Sequence, residues 1–86
     1  MNFKLLFPTF RNRYKFVRSR LKKYAGTQGY QRGLNLGTGE GDYDRMIASY
    51  CSRLLACDVN AEDIAHARML NEGVLNLNTK WIMPWT

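Results

Sequence analysis

The residues with the strongest claim to chemistry are three glycines and an aspartate. The string LNLGTGEG sets Gly37, Gly39 and Gly41 between a short apolar run, Gly33-Leu34-Asn35-Leu36, and a helical pattern. Asp58 closes a second apolar run, Leu54-Leu55-Ala56-Cys57, seventeen residues after Gly41. Glycine has no Cβ to collide with a ligand and accepts positive φ, so a loop of this composition lets a ligand rest against main-chain atoms. An acidic side chain at the carboxyl end of the second strand can accept hydrogen bonds from both hydroxyls of a ribose.

The loop departs from two phosphate-binding patterns. A mononucleotide loop ends in Gly-Lys followed by Ser or Thr, and no Lys follows Gly41. A dinucleotide loop needs a third glycine at 42, where Asp42 stands. Glu40, Asp42 and Asp44 moreover gather like charges where a pyrophosphate would sit. A cofactor with a sulfonium cation, an amino-acid end and a ribose but no phosphate tolerates those carboxylates, and S-adenosylmethionine is that molecule.

The elements that must position this loop are legible as alternating patterns. Tyr43, Met46, Ile47, Tyr50, Cys51 and Leu54 recur at helical spacing and predict a first crossover helix, with Asp42 and Asp44 in its opening turn, where the helix dipole favours carboxylates. Leu54 to Cys57 reads as the second strand. Asn60 is a good N-cap with Asp63 placed to return a hydrogen bond, and Gly73 a natural terminator, so a second helix is expected over about Ala61 to Glu72. Residues 75 to 83 are a weakly patterned third strand. Strands and helices alternating over such short connections imply a parallel, doubly wound α/β sheet.

At this point the sequence resembles the class I S-adenosylmethionine-dependent methyltransferases, whose first motif LDLGxGxG is similar to LNLGTGEG, with Gly37, Gly39 and Gly41 in register. The run CDVNAEDIAHAR, with Asp58 followed by Ile64, Ala65, Ala67 and Arg68, looks like the family's second-strand acid and following helix. The resemblance covers about Gly33 to Val74 and implies a partial Rossmann-like sheet, the truncated amino-terminal part of a methyltransferase domain. It implies a cofactor-binding set of Leu36, Gly37, Thr38, Gly39, Glu40, Gly41, Asp58 and Val59, the loop holding the methionine end of S-adenosyl-L-methionine and Asp58 its ribose. It assigns no catalytic residue and no metal.

Two departures from the family pattern carry expectations. Asn35 stands where the family usually has Asp, which is expected to weaken the hydrogen bonds that organise the loop. The tail Trp81-Ile82-Met83-Pro84-Trp85-Thr86 offers no acid or amide to read an adenine, and the acceptor-binding strand of the family has no counterpart. Without later neighbours the first strand is expected to leave an apolar edge unpaired, prone to aggregation or partner capture.

Charge divides the 86 residues in two. Residues 1 to 39 hold nine Lys and Arg and no acid, whereas residues 40 to 86 carry a net −3, for a total of +6. In the basic part Phe10, Tyr14, Val17, Leu21 and Tyr24 mark one face of a helix from about Pro8 to Tyr24, with Gly26 at its exit. Its cations form either a solvated surface or a guide for nucleic acid, acidic lipid or an acidic protein, meeting them through residues 11–23. A non-enzymatic basic module is therefore the alternative to a methyltransferase. The expected organisation is a basic helical segment over 1–32 and an incomplete cofactor-binding domain over 33–86.

The remaining features read as structural. A composition of 45% apolar and 23% charged residues demands a packed core, and 86 residues exclude a large multi-site enzyme. Cys51 and Cys57 lack metal or redox spacing and suit packed, reduced, cytoplasmic thiols. The opening MNFKLLFP holds no signal-peptide core, and no run approaches the roughly 20 apolar residues of a membrane span. His66 receives no role, and Trp81 and Trp85 read as exposed aromatics of an incomplete fold, the alternative being contact with an acceptor.

Overall fold

The protein is described by a computed structural model, and the structure describes residues 3–83. A 3-10 helix, Phe3–Leu6, leads into α1, Pro8–Ala25, with Pro8 in its first turn and Gly26 at its exit in positive φ. The α/β part follows as β1 (Tyr30–Leu36), α2 (Asp44–Ala48), β2 (Cys51–Asp58), α3 (Ala61–Leu70) and β3 (Leu77–Trp81). The three strands are parallel in the order β1-β2-β3. Pro84, Trp85 and Thr86, and with them the expectation for Trp85, lie outside the described residues.

Register fixes two faces. Gly33 pairs with Leu54, which pairs with Leu77, and Asn35 aligns in the same way with Ala56 and Thr79. These rows point toward the packed layer, where Met46 and Ala48 of α2 and Ile64 and Ala67 of α3 are buried with Leu54, Ala56 and Thr79. Leu34, Leu55 and Asn78 form the alternate row, and all three are exposed. Successive strand residues point to opposite faces, so helices on one side leave the other bare. Among the described residues β1 lies at one edge, as the unpaired-edge expectation required.

The crossover helices differ from their expected spans. The helix expected to run from Tyr43 toward Leu54 is only the five residues of α2, because Cys51 and Leu54 belong to β2. Ser49 turns the chain, its Oγ donating to Met46 O at 2.6 Å, and Asn76 Nδ2 donates to both Ala48 O and Cys51 O. Leu54 satisfies a helical period from Tyr43 and a strand period with Ala56, and the ladder to β1 and β3 decides for the strand. Asn60 caps α3 by accepting from Asp63 N at 3.1 Å. The return bond comes from Asp58, whose Oδ1 accepts from Asn60 N at 3.0 Å, and not from Asp63. Helix α3 ends at Leu70 with Asn71 as its C-cap, two residues short of its expected end, and Gly73 turns the chain beyond it at φ 89°.

Beginning at Tyr30, β1 starts three residues ahead of the expected strand, so the boundary expected between residues 32 and 33 falls within it. The amino-terminal segment also rests on the α/β part. Phe10 and Tyr14 place their rings 5.5 and 5.8 Å from that of Tyr43. Val17 and Leu21 are half-buried on the same stripe, whereas Tyr24 is exposed. No residue of α1 is fully buried.

Candidate functional site

The glycine loop leaves the carboxyl end of β1 and is tied to the end of β2 by three main-chain donors. Gly37 N and Thr38 N both donate to Cys57 O, at 2.9 and 3.1 Å, and Gly39 N donates to Asp58 Oδ2 at 2.8 Å. Leu36 and Cys57 are register partners, so the parallel ladder itself delivers the loop to Asp58. All three glycines have positive φ, at 73°, 57° and 79°. A Cβ on Gly37 or Gly39 would meet nothing within 4 Å, so the space beside them is open. A Cβ on Gly41 would lie 2.7 Å from Ala67 Cβ and 2.8 Å from Asn71 Nδ2. Gly41 is thus a packing position, held against α3 by the Asn71 Nδ2 bond to its carbonyl at 2.9 Å.

Asp58 points into the mouth of this loop. Each of its oxygens accepts one main-chain N–H, Oδ1 from Asn60 and Oδ2 from Gly39. Those bonds, Asn60's first and then Gly39's, with a smaller share from the Val59 N–H, hold its carboxyl below the ordinary carboxylate value and keep it ionised at neutral pH. An ionised carboxylate offers about four lone-pair sites, so these main-chain N–H groups leave it room to accept a further hydrogen bond. Val59 beside it is exposed, and its carbonyl accepts from Trp81 Nε1 at 2.8 Å. Ile82 N donates to Asp58 O at 3.0 Å. Trp81 therefore braces the site from β3, a role its place in the sequence did not signal.

The expected weakness at Asn35 is overturned. Asn35 Nδ2 donates to Asp44 Oδ1 at 2.8 Å and to Thr38 Oγ1 at 3.3 Å, and Thr38 Oγ1 donates to Asp44 Oδ2. Asp44 is fully buried at the start of α2, so its charge needs those donors. An aspartate at 35 has no N–H to give and would face Asp44 with a like charge. The amide therefore organises the loop by linking β1, the loop and α2 in one closed network.

The acidic cluster at 40, 42 and 44 is likewise not what its spacing implied. Lys4 Nζ bridges Glu40 Oε2 at 2.8 Å and Asp42 Oδ2 at 2.7 Å. Those bonds, Asp42's foremost, raise the Lys4 pKa above its ordinary value. Asp42 precedes α2 rather than lying in it. Lys4 offsets only one of the two charges it bridges, and Asp44 is buried on an amide and a hydroxyl, so the cluster keeps a net negative charge that is weaker than its spacing implied but still opposes a phosphate. The exclusion rests on that residual charge together with the missing Lys and third glycine. No periodicity connects residue 4 to residues 40 and 42, so Lys4 was invisible to pattern reading.

Among the described residues no group of three or more His, Cys, Asp or Glu is placed to hold a metal ion, and no helix is long and apolar enough to cross a membrane. His66 is exposed on α3. Cys57 is buried within β2 and Cys51 half-buried at its start.

No family model matches this sequence, and no curated protein does. Solved structures do. The chain is similar to the N-methyltransferase NodS from Bradyrhizobium japonicum WM9 in complex with S-adenosyl-L-homocysteine, with 23% identity and a TM-score of 0.75 over 93% of this chain and 40% of that one. It is similar to the DhpI-SAM-HEP complex, at 23% identity and a TM-score of 0.69 over 91% of this chain and 34% of the other. A putative sarcosine dimethylglycine methyltransferase from Galdieria sulphuraria is 19% identical, with a TM-score of 0.68 over 85% of this chain and 29% of that one. The chain spans less than half the length of each of these proteins. Its three-stranded parallel sheet with flanking helices is the Rossmann-like fold found in those methyltransferases.

Proposed function

We propose that the loop 37–41 and Asp58 hold S-adenosylmethionine, and that the chain is the cofactor-binding part of an S-adenosylmethionine-dependent methyltransferase. The observation that carries this reading is the Asp58 carboxylate, ionised, bonded to Gly39 N at the mouth of the loop and with lone-pair capacity left for a ribose hydroxyl. The open space beside Gly37 and Gly39 leaves main-chain atoms approachable by the methionine end, with Leu36, Thr38 and Glu40 along its path. The NodS and DhpI structures, which hold S-adenosyl-L-homocysteine and SAM, support the same choice of ligand. Gly41 acts by keeping α3 close, and Asn35, Thr38 and Asp44 by fixing the loop's shape.

When bound, the cofactor supplies a methyl group already activated on a sulfonium. Transfer is an in-line displacement that depends on positioning and exclusion of water, which is why no acid or base of this chain needs a catalytic role. The chain's own share is to bind and orient the cofactor. The acceptor would be recognised elsewhere. Unpaired thiols at Cys51 and Cys57 suit a reduced compartment, and we place the chain in the cytoplasm.

Isothermal titration with S-adenosylmethionine tests the reading. Saturable binding that weakens at least about tenfold in Asp58→Ala is expected, as a charged hydrogen-bond acceptor is worth about 1.5–3 kcal/mol. Equal heats from the two proteins, or none from a sample shown to be folded by circular dichroism, would overturn it.

A further inference from the structure

We infer that α1 is a docking helix for the major groove of duplex DNA. Its half-buried stripe, Phe10, Tyr14, Val17 and Leu21, is turned toward the body, with the first two rings on Tyr43. At 3.6 residues per turn, Arg11, Lys15, Arg18 and Lys22 then form one row along one flank, spaced i, i+4, i+7 and i+11. Arg13, Arg20 and Lys23 form a second row along the opposite flank, with the exposed Phe16 ring among them. Asn12 and Ser19 lie between the rows on the outward strip. Both rows and the strip are exposed.

The cations are not spent on the protein itself. Among the described residues the ion pairs are those of Lys4 with Glu40 and Asp42, and no member of either row takes part in one. Three heads are instead steadied over rings of the same helix: Arg18 on Tyr14 at 5.8 Å, Arg20 on Phe16 at 5.2 Å and Lys23 on Tyr24 at 5.5 Å. Holding a long side chain in place before binding lowers the entropy lost on contact.

Two flanks select the partner. An α-helix about 10–12 Å across fits a B-form major groove about 12 Å wide, and seated there it turns each flank to a different phosphate backbone. Asn12 and Ser19 then face base edges, and amide and hydroxyl groups are suited to read them. A single strand offers one backbone and serves one row. An A-form duplex has a major groove too narrow to admit the helix. An anionic bilayer would have to take up an apolar face: the stripe of α1 is turned to the body, and the exposed rings outside it, Phe16 and Tyr24, carry the heads of Arg20 and Lys23.

The experiment uses the full chain and a mixed-sequence 16-base-pair DNA duplex, measured by fluorescence anisotropy between 50 and 200 mM salt. Seven phosphate contacts predict a loss of about 10³- to 10⁴-fold in affinity across that range. Replacing row one by Gln should flatten the log–log salt slope by about 3.6, and replacing row two by about 2.7. Gln keeps helix propensity, and circular dichroism checks that each variant stays folded. Binding equal or tighter on the single strand, on the RNA duplex or on phosphatidylserine vesicles would overturn the inference, as would a slope carried by one row alone. The inference does not depend on the cofactor site: Asp58→Ala should leave duplex binding unchanged, so the two readings can fail separately.

Discussion

The two faces of the sheet have the same strands and opposite fates. On one, Leu54 is 2% exposed beneath α2 and α3. On the other, Leu34 and Leu36 of β1 are 61% and 68% exposed and Leu55 of β2 is 37% exposed. Leu54 and Leu55 are neighbours in the chain and of equal intrinsic hydrophobicity, so the difference lies in what the pleat turns them toward. The covered face also carries what shapes the loop, because Asn35, Asp44 and Gly41 all meet the helices. Loop geometry and stability thus share one layer, whereas on the other face Cys57 alone is buried within the described residues.

Substitutions can break or sharpen that contrast. Leu54→Ala should cost about 2–5 kcal/mol in a urea melt, the range for emptying a buried leucine site. Gly41→Ala should follow at about 2–4 kcal/mol, since a Cβ there meets Ala67 and Asn71 while a non-glycine residue is forced into positive φ. A loss under about 0.5 kcal/mol in that variant would show that α3 does not press on the loop.

Asn35→Asp tests the buried network and is expected to cost about 1–3 kcal/mol near neutral pH, because it removes a donor to Asp44 and adds a like charge. The sign with pH is diagnostic. Two facing carboxylates raise one another's tendency to hold a proton, so the penalty should shrink as pH falls and one of them protonates. A penalty constant from pH 7 to pH 4 would point to lost shape instead of charge. Leu34→Ser should have the smallest effect, within about 0.5 kcal/mol, and should lower binding of a hydrophobic dye. A loss comparable to that of Leu54→Ala would mean that the bare face is covered in solution.

Much of the architecture was readable along the chain. Pro8 and Gly26 bounded α1, Asn60 capped α3, and the apolar runs before Gly37 and Asp58 were strands that delivered those residues to one place. Each signal is local, arising from a fixed φ, a side chain bonding its own turn or a period of burial. The limits of α2 were not readable, because Leu54 fits two periods and only the paired strands distinguish them.

The order of types along the chain determined by itself that glycines and an acid would meet at the ends of adjacent parallel strands, because register and short crossovers leave them no other place. Tertiary structure alone decided the electrostatics. Lys4 reaches carboxylates 36 and 38 residues away, and Asn35 serves as donor to a buried Asp44. Charges of the same sequence attract, repel or cancel according to distance and burial, and neither is set until the chain has folded.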